Sequence, residues 1–93
     1  MATVMHVSDK NRFIAEEGGH EAGFLEYTRE ADGGVLVATH VVTDEQFRGR
    51  GIAGEVTAAL FEHARRTGVK VRPVCPYVVA WVENHPEVEE LLA

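Results

Sequence analysis

A glycine-punctuated turn lies between an apolar segment and an amphipathic one, and it constrains the fold more than any other part of the chain. The turn reads Arg48-Gly49-Arg50-Gly51-Ile52-Ala53-Gly54. Residues 35–42 before it are nearly all apolar or β-branched and predict a strand, whereas residues 52–66 after it have apolar side chains at helical spacing. A strand that turns through glycines into a helix gathers free backbone N–H groups at the positive end of the helix dipole. The sequence therefore predicts that residues 48–54 hold the pyrophosphate of a cofactor.

Arg48 and Arg50 place two positive charges in this turn, in a chain whose formal net charge is -6. Either arginine could be an ordinary solvated loop charge, but the glycine spacing and the following helix favour contact with phosphate oxygens. The net negative charge repels polyanions and attracts cations such as amines. We therefore expect no nucleic-acid partner and no membrane partner.

The length of 93 residues is that of one small domain, residues 1–93. A single cysteine excludes an internal disulfide and a thiolate metal cluster, and the histidines show no ligand spacing, so we expect no metal. The first residues lack the pattern of a signal peptide, and no apolar run approaches the roughly 18 residues of a membrane span. The expected location is the cytoplasm.

The pattern of turns and apolar residues predicts an α+β fold. Four strands joined by short turns make an antiparallel meander, at residues 4–7, 12–16, 21–29 and 35–42. The continuous apolar run of the fourth strand is typical of a strand buried on both faces. After the crossover helix, residues 69–72 predict a fifth strand parallel to the fourth. Pro76 and Pro86 then begin two short C-terminal helices, the first at residues 76–84.

The motif Arg48-x-x-Gly51-x-Ala53 resembles the acetyl-CoA signature of the GNAT N-acetyltransferase superfamily, whose loop reads Gln/Arg-x-x-Gly-x-Gly/Ala. Three further segments resemble the short single-domain branch labelled yjdJ-type: Thr39-His40, Cys75-Pro76-Tyr77 and His85-Pro86-Glu87. The resemblance covers residues 12–92. It implies a trimmed GNAT fold, without the N-terminal helices and the last strand pair of larger relatives.

The resemblance also implies a function, which is acetyl transfer from acetyl-CoA to a primary amine. The acceptor would be a small molecule or a protein lysine or N-terminus, and its identity stays open. The cofactor would lie in a cleft where the fourth and fifth strands splay apart. Its pantetheine would bond to the backbone of three strand residues, Val41, Val42 and Thr43. Its pyrophosphate would bind the turn formed by Arg48, Gly49, Arg50, Gly51, Ile52, Ala53 and Gly54.

Cys75 and His40 are the two candidate catalytic residues. Cys75 precedes a predicted helix N-terminus, which favours the thiolate form, so it could take the acetyl group or relay a proton to the cofactor sulfur. The alternative is that Cys75 is a small buried core residue. His40 lies in the strand expected to line the cleft and could deprotonate the amine. The alternative is a histidine bonded to a neighbouring carbonyl.

Trp81 lies near the position where many larger relatives carry a tyrosine that protonates the leaving thiolate. An indole N–H cannot serve as that acid, so Trp81 is expected to pack in the core or to form a wall of the cleft. Tyr77, one helical turn earlier, could substitute, although core packing is its expected role. His85 is expected to cap the last helix.

Three hypotheses of different classes follow from these residues. The first is an acetyltransferase in which the amine attacks directly, with an acetylated Cys75 as the minority route. The second is a module that binds CoA or acyl-CoA with little or no transfer activity. The third is an interaction domain that has lost the cofactor, which the intact glycine turn opposes. No residue of the sequence indicates the oligomeric state.

Overall fold

The computed structural model describes residues 2–93, which form a five-stranded sheet covered by helices. The strands are β1 Thr3–Val7, β2 Arg12–Glu17, β3 His20–Glu30, β4 Val35–Thr43 and β5 Lys70–Pro73. The helices longer than three residues are α1 Ile52–Thr67, α2 Pro76–Glu83 and a C-terminal 3₁₀ helix, Pro86–Leu91. The strand order is β1-β2-β3-β4-β5, antiparallel except that β5 runs parallel to β4. The predicted meander, crossover helix and parallel fifth strand are confirmed.

Helix α1 packs its apolar stripe against the sheet. The stripe is fully or almost fully buried and consists of Ile52, Val56, Leu60 and Ala64. On the solvent side, Arg66 Nε lies 3.8 Å from Glu62 Oε1, as the spacing of four residues predicts. The helix ends at Gly68, whose backbone is left-handed and whose N–H donates to the Ala64 carbonyl. Across residues 2–93, no helix is both long and apolar enough to cross a membrane.

Strand β4 is buried on one face, so the expectation of two covered faces is wrong. Leu36 and Ala38 are fully buried, whereas the Val42 side chain is 45% exposed. Val78 of α2 and Val88 of the 3₁₀ helix belong to the same buried cluster as α1, so the helices share one side of the sheet. We call the opposite side, which carries no helix among residues 2–93, the outer face.

A β-bulge in β4 interrupts its pairing with β3. Tyr27 pairs with Ala38 and Glu26 pairs with His40, so Thr39 is an extra residue without its own partner on β3. An extra residue reverses the inside and outside positions of the strand from that point onward. His40 therefore faces outward beside Glu26, although counting alternate residues from Ala38 would place it in the core.

His6 and His63 meet under strand β1. The His6 ring stacks on Phe13 with centroids 4.2 Å apart, and the His63 ring meets it edge-on at 4.4 Å. His6 Nε2 is hydrogen-bonded to the buried Tyr27 hydroxyl at 2.6 Å. Burial lowers the pKa of both histidines, and the charges of Arg29 and Arg66 lower them further.

We expect the free energy of unfolding to decrease as the pH falls from 7.5 to 5.5. The unfolded histidines take up protons near their ordinary pKa of about 6.5, whereas the folded ones do so only at lower pH. The unfolded state thus binds more protons than the folded state in this range. Acidification therefore stabilises the unfolded state relative to the folded one. Urea melts at several pH values measure the slope, which His63→Gln should reduce and the exposed control His20→Gln should leave unchanged. A slope that is the same in all three proteins would contradict this account.

Candidate functional site

The glycine turn and the start of α1 form one wall of a cleft of about 360 Å³. The cleft is lined by Thr43, Arg48, Gly49, Gly51, Ile52, Ala53, Gly54 and Tyr77. Seven of these eight residues are among those that the sequence predicts to bind a cofactor. The structure therefore brings the end of β4, the turn and the first turn of α1 together around one space.

Gly51 shapes the corner between the turn and α1. Its φ of 79° is left-handed, a conformation that favours glycine, and the residue is the N-cap of α1 with no side chain to bond the free amides. The hydrogen bonds of the helix begin with the Glu55 N–H, which donates to the Gly51 carbonyl at 3.0 Å. The N–H groups of residues 52–54 lie ahead of that first bond, beside the cleft. With the positive end of the helix dipole, they provide donors for an anion.

The two arginines of the turn take different directions. Arg48 lines the cleft. Arg50 forms an ion pair with Glu17 of β2, and its guanidinium carbon lies 5.5 Å from the centroid of the Phe47 ring. The structure thus places Arg48 where it can contact a phosphate and joins Arg50 to the sheet.

Strands β4 and β5 separate next to this cleft. Their last paired residues are Ala38 and Pro73. The Val74 and Cys75 N–H groups both donate to the Ala38 carbonyl, at 3.1 and 2.9 Å, and the chain then turns into α2. Since β4 continues to Thr43, no strand of residues 2–93 lies beside its last residues on this edge. We call this space the strand gap.

Backbone groups of β4 point into the strand gap. The Asp44 N–H donates to the Ala22 carbonyl of β3, so Val42, two residues earlier, also directs its backbone groups toward β3. Val41 and Thr43 consequently direct theirs toward the gap. Of the three residues predicted to bond pantetheine, two therefore have the required direction, and Val42 instead has its side chain on the outer face.

Cys75 lies beside the strand gap on the helix side of the sheet. It is the N-cap residue of α2, and Pro76 follows as the first helical residue. Its side chain is 8% exposed and belongs to the core cluster. The location agrees with both predicted alternatives, because the thiol is nearly buried and also adjoins a helix N-terminus at the gap.

His40 lies beside the same gap, on the outer face of the sheet. Its side chain is 67% exposed. Its Nδ1 atom lies 3.1 Å from Thr39 Oγ1 and 3.7 Å from Glu26 Oε1. The alternative stated for His40, a bond to a neighbouring carbonyl, does not match these contacts, because the neighbours of Nδ1 are a hydroxyl and a carboxylate.

Tyr77 is a cleft residue, so its expected role in core packing is wrong. It is 40% exposed, and its hydroxyl lies 3.5 Å from the position that a Cβ atom on Gly54 would occupy. The sequence signal was its place one turn before Trp81, on the same face of α2. That spacing does not show whether the residue faces the core or a cleft.

Trp81 packs as expected. Its ring stacks with Phe61, at a centroid distance of 5.3 Å, and with His85, at 3.7 Å. His85 occupies the N-cap position of the 3₁₀ helix, but its side chain makes no capping bond there. Its Nδ1 lies 2.7 Å from the Trp81 carbonyl instead, so the expectation of a side-chain cap is wrong.

Gly23 of β3 allows the cleft to form, and the sequence analysis missed it. A Cβ atom at this position would lie 2.5 Å from the Val42 carbonyl oxygen and 2.8 Å from Ile52 Cγ2. Only a residue without a side chain lets the first residue of α1 rest on β3 and β4. A single glycine inside a strand pattern, which often marks a close approach, was the available signal.

Comparison with known proteins gives one family and a set of similar structures. The family model of the GCN5-related N-acetyl-transferases matches residues 12–91. A GCN5-like protein from Staphylococcus aureus, solved by NMR, is 17% identical with a TM-score of 0.72, over 98% of this chain and 87% of that one. Diaminobutyrate acetyltransferase from Paenibacillus lautus, solved with its substrate and coenzyme A, is 24% identical with a TM-score of 0.59, over 87% of this chain and 51% of that one.

A larger enzyme contains the same fold in a small part of its length. N-acetylglutamate synthase from Neisseria gonorrhoeae, complexed with coenzyme A and N-acetyl-glutamate, is 16% identical with a TM-score of 0.64. The match covers 80% of this chain but 18% of the synthase. At these identities, the structural matches show a shared fold.

Proposed function

The chain belongs to the GCN5-related N-acetyltransferase family, and from that premise we propose that it binds acetyl-CoA and transfers the acetyl group to a primary amine. The acceptor is a small molecule or the lysine or N-terminus of a protein. One observation carries the proposal: seven of the ten residues predicted to bind the cofactor meet in a single cleft, at the N-terminus of α1 and next to the strand gap. The motifs around Cys75 and His85 support a place in the short single-domain branch of the family.

The residues of the cleft fit the cofactor chemically. The N–H groups of residues 52–54 and the Arg48 guanidinium suit the two phosphates, which are anionic acceptors. The backbone groups of Val41 and Thr43, unpaired by a strand on that edge, suit the amides of pantetheine. When bound, acetyl-CoA supplies the thioester that carries the acetyl group. A backbone N–H of the strand gap would stabilise negative charge on the carbonyl oxygen.

Three side chains are the candidates for proton and acetyl transfer. His40, on the outer face, accepts the proton of the amine, and the amine then attacks directly. Tyr77 holds a hydroxyl proton inside the cleft, which is what a departing thiolate requires. Cys75, on the helix side, offers the minority route through an acetylated thiol.

A CoA-binding module with little or no transfer activity is the second candidate. The observation that favours it is Trp81, which lies near the position of the tyrosine acid of larger relatives. Its ring stacks with the rings of Phe61 and His85. An indole in this position provides packing and no acid.

Incubation of the protein with acetyl-CoA and a panel of primary amines tests the proposal. We expect at least one amine to release free CoA, measured with a thiol reagent, and to gain an acetyl group by mass spectrometry. Cys75→Ala should lower kcat less than about 10-fold if the amine attacks directly, because a difference of that size is only about 1.4 kcal/mol. A loss far beyond this, with an acetyl adduct on the wild-type protein that Cys75→Ala lacks, would establish the covalent route.

Two other results of the panel would change the assignment. Binding of acetyl-CoA without CoA release for any amine would favour the binding module. Failure of acetyl-CoA to raise the melting temperature at millimolar concentration would contradict both candidates, since a ligand of the native state must stabilise it.

A further inference from the structure

We infer that Thr39 and Glu26 are positioning residues that hold the proton of neutral His40 on Nδ1, so that Nε2 is the atom that accepts the proton of the amine. The inference rests on the proposed acetyl transfer and specifies its acceptor side. It also assigns a role to the β-bulge of β4, which provides both Thr39 and the outward direction of His40.

The hydrogen bonds around Nδ1 determine which nitrogen carries the proton. Thr39 Oγ1 donates to the Glu26 backbone carbonyl at 3.1 Å. A hydroxyl has one proton, so towards His40 Nδ1, also at 3.1 Å, Thr39 can only accept. The second neighbour of Nδ1 is Glu26 Oε1 at 3.7 Å, and a carboxylate oxygen also accepts. Both neighbours therefore require an N–H on Nδ1, which leaves the lone pair of the neutral ring on Nε2.

The Glu26 carboxylate is held in place from its other side. Arg12 Nε donates to Glu26 Oε2 at 3.1 Å, and the Arg12 guanidinium carbon lies 4.0 Å above the centroid of the Phe24 ring. Arg12, Glu26 and His40 are register neighbours on β2, β3 and β4, in a single row across the outer face. Oε1 remains directed to His40, where its charge stabilises the imidazolium once a proton has been taken up.

The row ends at the strand gap. His40 comes two residues after Ala38, the last residue of β4 that pairs with β5. An amine that approaches from the outer face reaches the gap beside His40, whereas Cys75 adjoins it from the helix side. The N–H bond of the ammonium breaks, an N–H bond forms at Nε2, and the amine keeps the electron pair for attack. The exposed ring then returns the proton to water.

Imidazole ¹⁵N spectra of the unliganded protein test the tautomer without any assay of activity. At about pH 8.5, we expect His40 to be protonated on Nδ1 and unprotonated on Nε2. The signals are assigned by their absence in His40→Gln. Thr39→Ser, which keeps the hydroxyl, should preserve this tautomer. Thr39→Val, which keeps the shape and loses the acceptor, should yield a mixture of both. A proton on Nε2 in the wild-type protein would overturn the inference.

Kinetics with an amine from the panel test the consequence for catalysis. Removal of a general base costs about 10²–10⁴-fold, so His40→Gln should lower kcat by at least 100-fold. Glu26→Gln and Thr39→Val should lower kcat by about 10-fold or more, with the KM for acetyl-CoA unchanged, while Thr39→Ser stays close to wild type. Melting curves verify that the variants are folded.

The outcomes separate this inference from the proposed function. Wild-type kcat in His40→Gln would overturn the role of His40 and leave acetyl transfer by the protein intact. A fall in kcat with Thr39→Val that Thr39→Ser shares would overturn the role of the hydroxyl. Absence of transfer to every amine would contradict the proposed function itself, and the inference with it.

Discussion

Gly51→Ala is expected to remove nearly all of the thermal stabilisation that acetyl-CoA gives to the wild-type protein. An alanine at a φ of 79° is strained, and relief of the strain turns the amides of the corner away from the cleft. Loss of two charge-assisted hydrogen bonds, at about 1.5–3 kcal/mol each, lowers the affinity at least about 100-fold. A ligand present at about 100 times its wild-type Kd, which stabilises the native state by about 2.7 kcal/mol, would then contribute less than about 0.5 kcal/mol.

Gly68→Ala is the matched control for this variant. Gly68 ends α1 with a φ of 77°, and a Cβ atom would meet nothing within 4 Å at either glycine. Both variants should therefore lose about 1–2 kcal/mol of stability without ligand, from the same strain. Only Gly51→Ala should lose the shift caused by acetyl-CoA. Equal ligand shifts in the two variants would show that the corner does not bind the cofactor.

Gly23→Ala is expected to lower the melting temperature of the unliganded protein by more than about 10 °C. The added methyl group would overlap the Val42 carbonyl oxygen, which belongs to the backbone and cannot move independently, and Ile52 at the start of α1. Overpacking of this kind costs about 3 kcal/mol, and each kcal/mol moves the melting temperature of a domain this size by about 4–8 °C. Differential scanning calorimetry measures the change directly.

The same substitution at Gly54 provides the comparison. Gly54 lies in the first turn of α1, and its nearest neighbour would be the Tyr77 hydroxyl at 3.5 Å, an ordinary contact. Gly54→Ala should leave the melting temperature unchanged or raise it by a few degrees, because alanine favours a helix by about 1 kcal/mol over glycine. If Gly23→Ala melted within about 2 °C of wild type, β3 would not approach α1 as closely as described.

Most of the architecture could be predicted from the sequence, because local signals determine it. The change from strand to helical spacing at the glycine turn predicted β4 and α1, and the prolines at positions 76 and 86 predicted where the last helices begin. The turn also predicted six of the residues that line the cleft. Each of these signals lies within a few residues of the structure it determines.

The directions of side chains in β4 could not be predicted in this way. Counting alternate positions places His40 on the same face as Leu36 and Ala38. The bulge at Thr39 reverses that assignment, and it arises from pairing with β3, a non-local contact. The direction of the Arg50 side chain could not be predicted for the same reason. Its ion-pair partner Glu17 is on β2, and no residue near the turn indicates that pairing.

The strand gap has Cys75 on one side of the sheet and His40 on the other. Two molecules that arrive from opposite directions do not obstruct one another, and neither has to depart before the other binds. Under the proposed function, both substrates can therefore be held at once, and initial-rate plots at several amine concentrations would intersect instead of running parallel. Free CoA, the product left after transfer, can likewise dissociate while the acetylated amine is still bound.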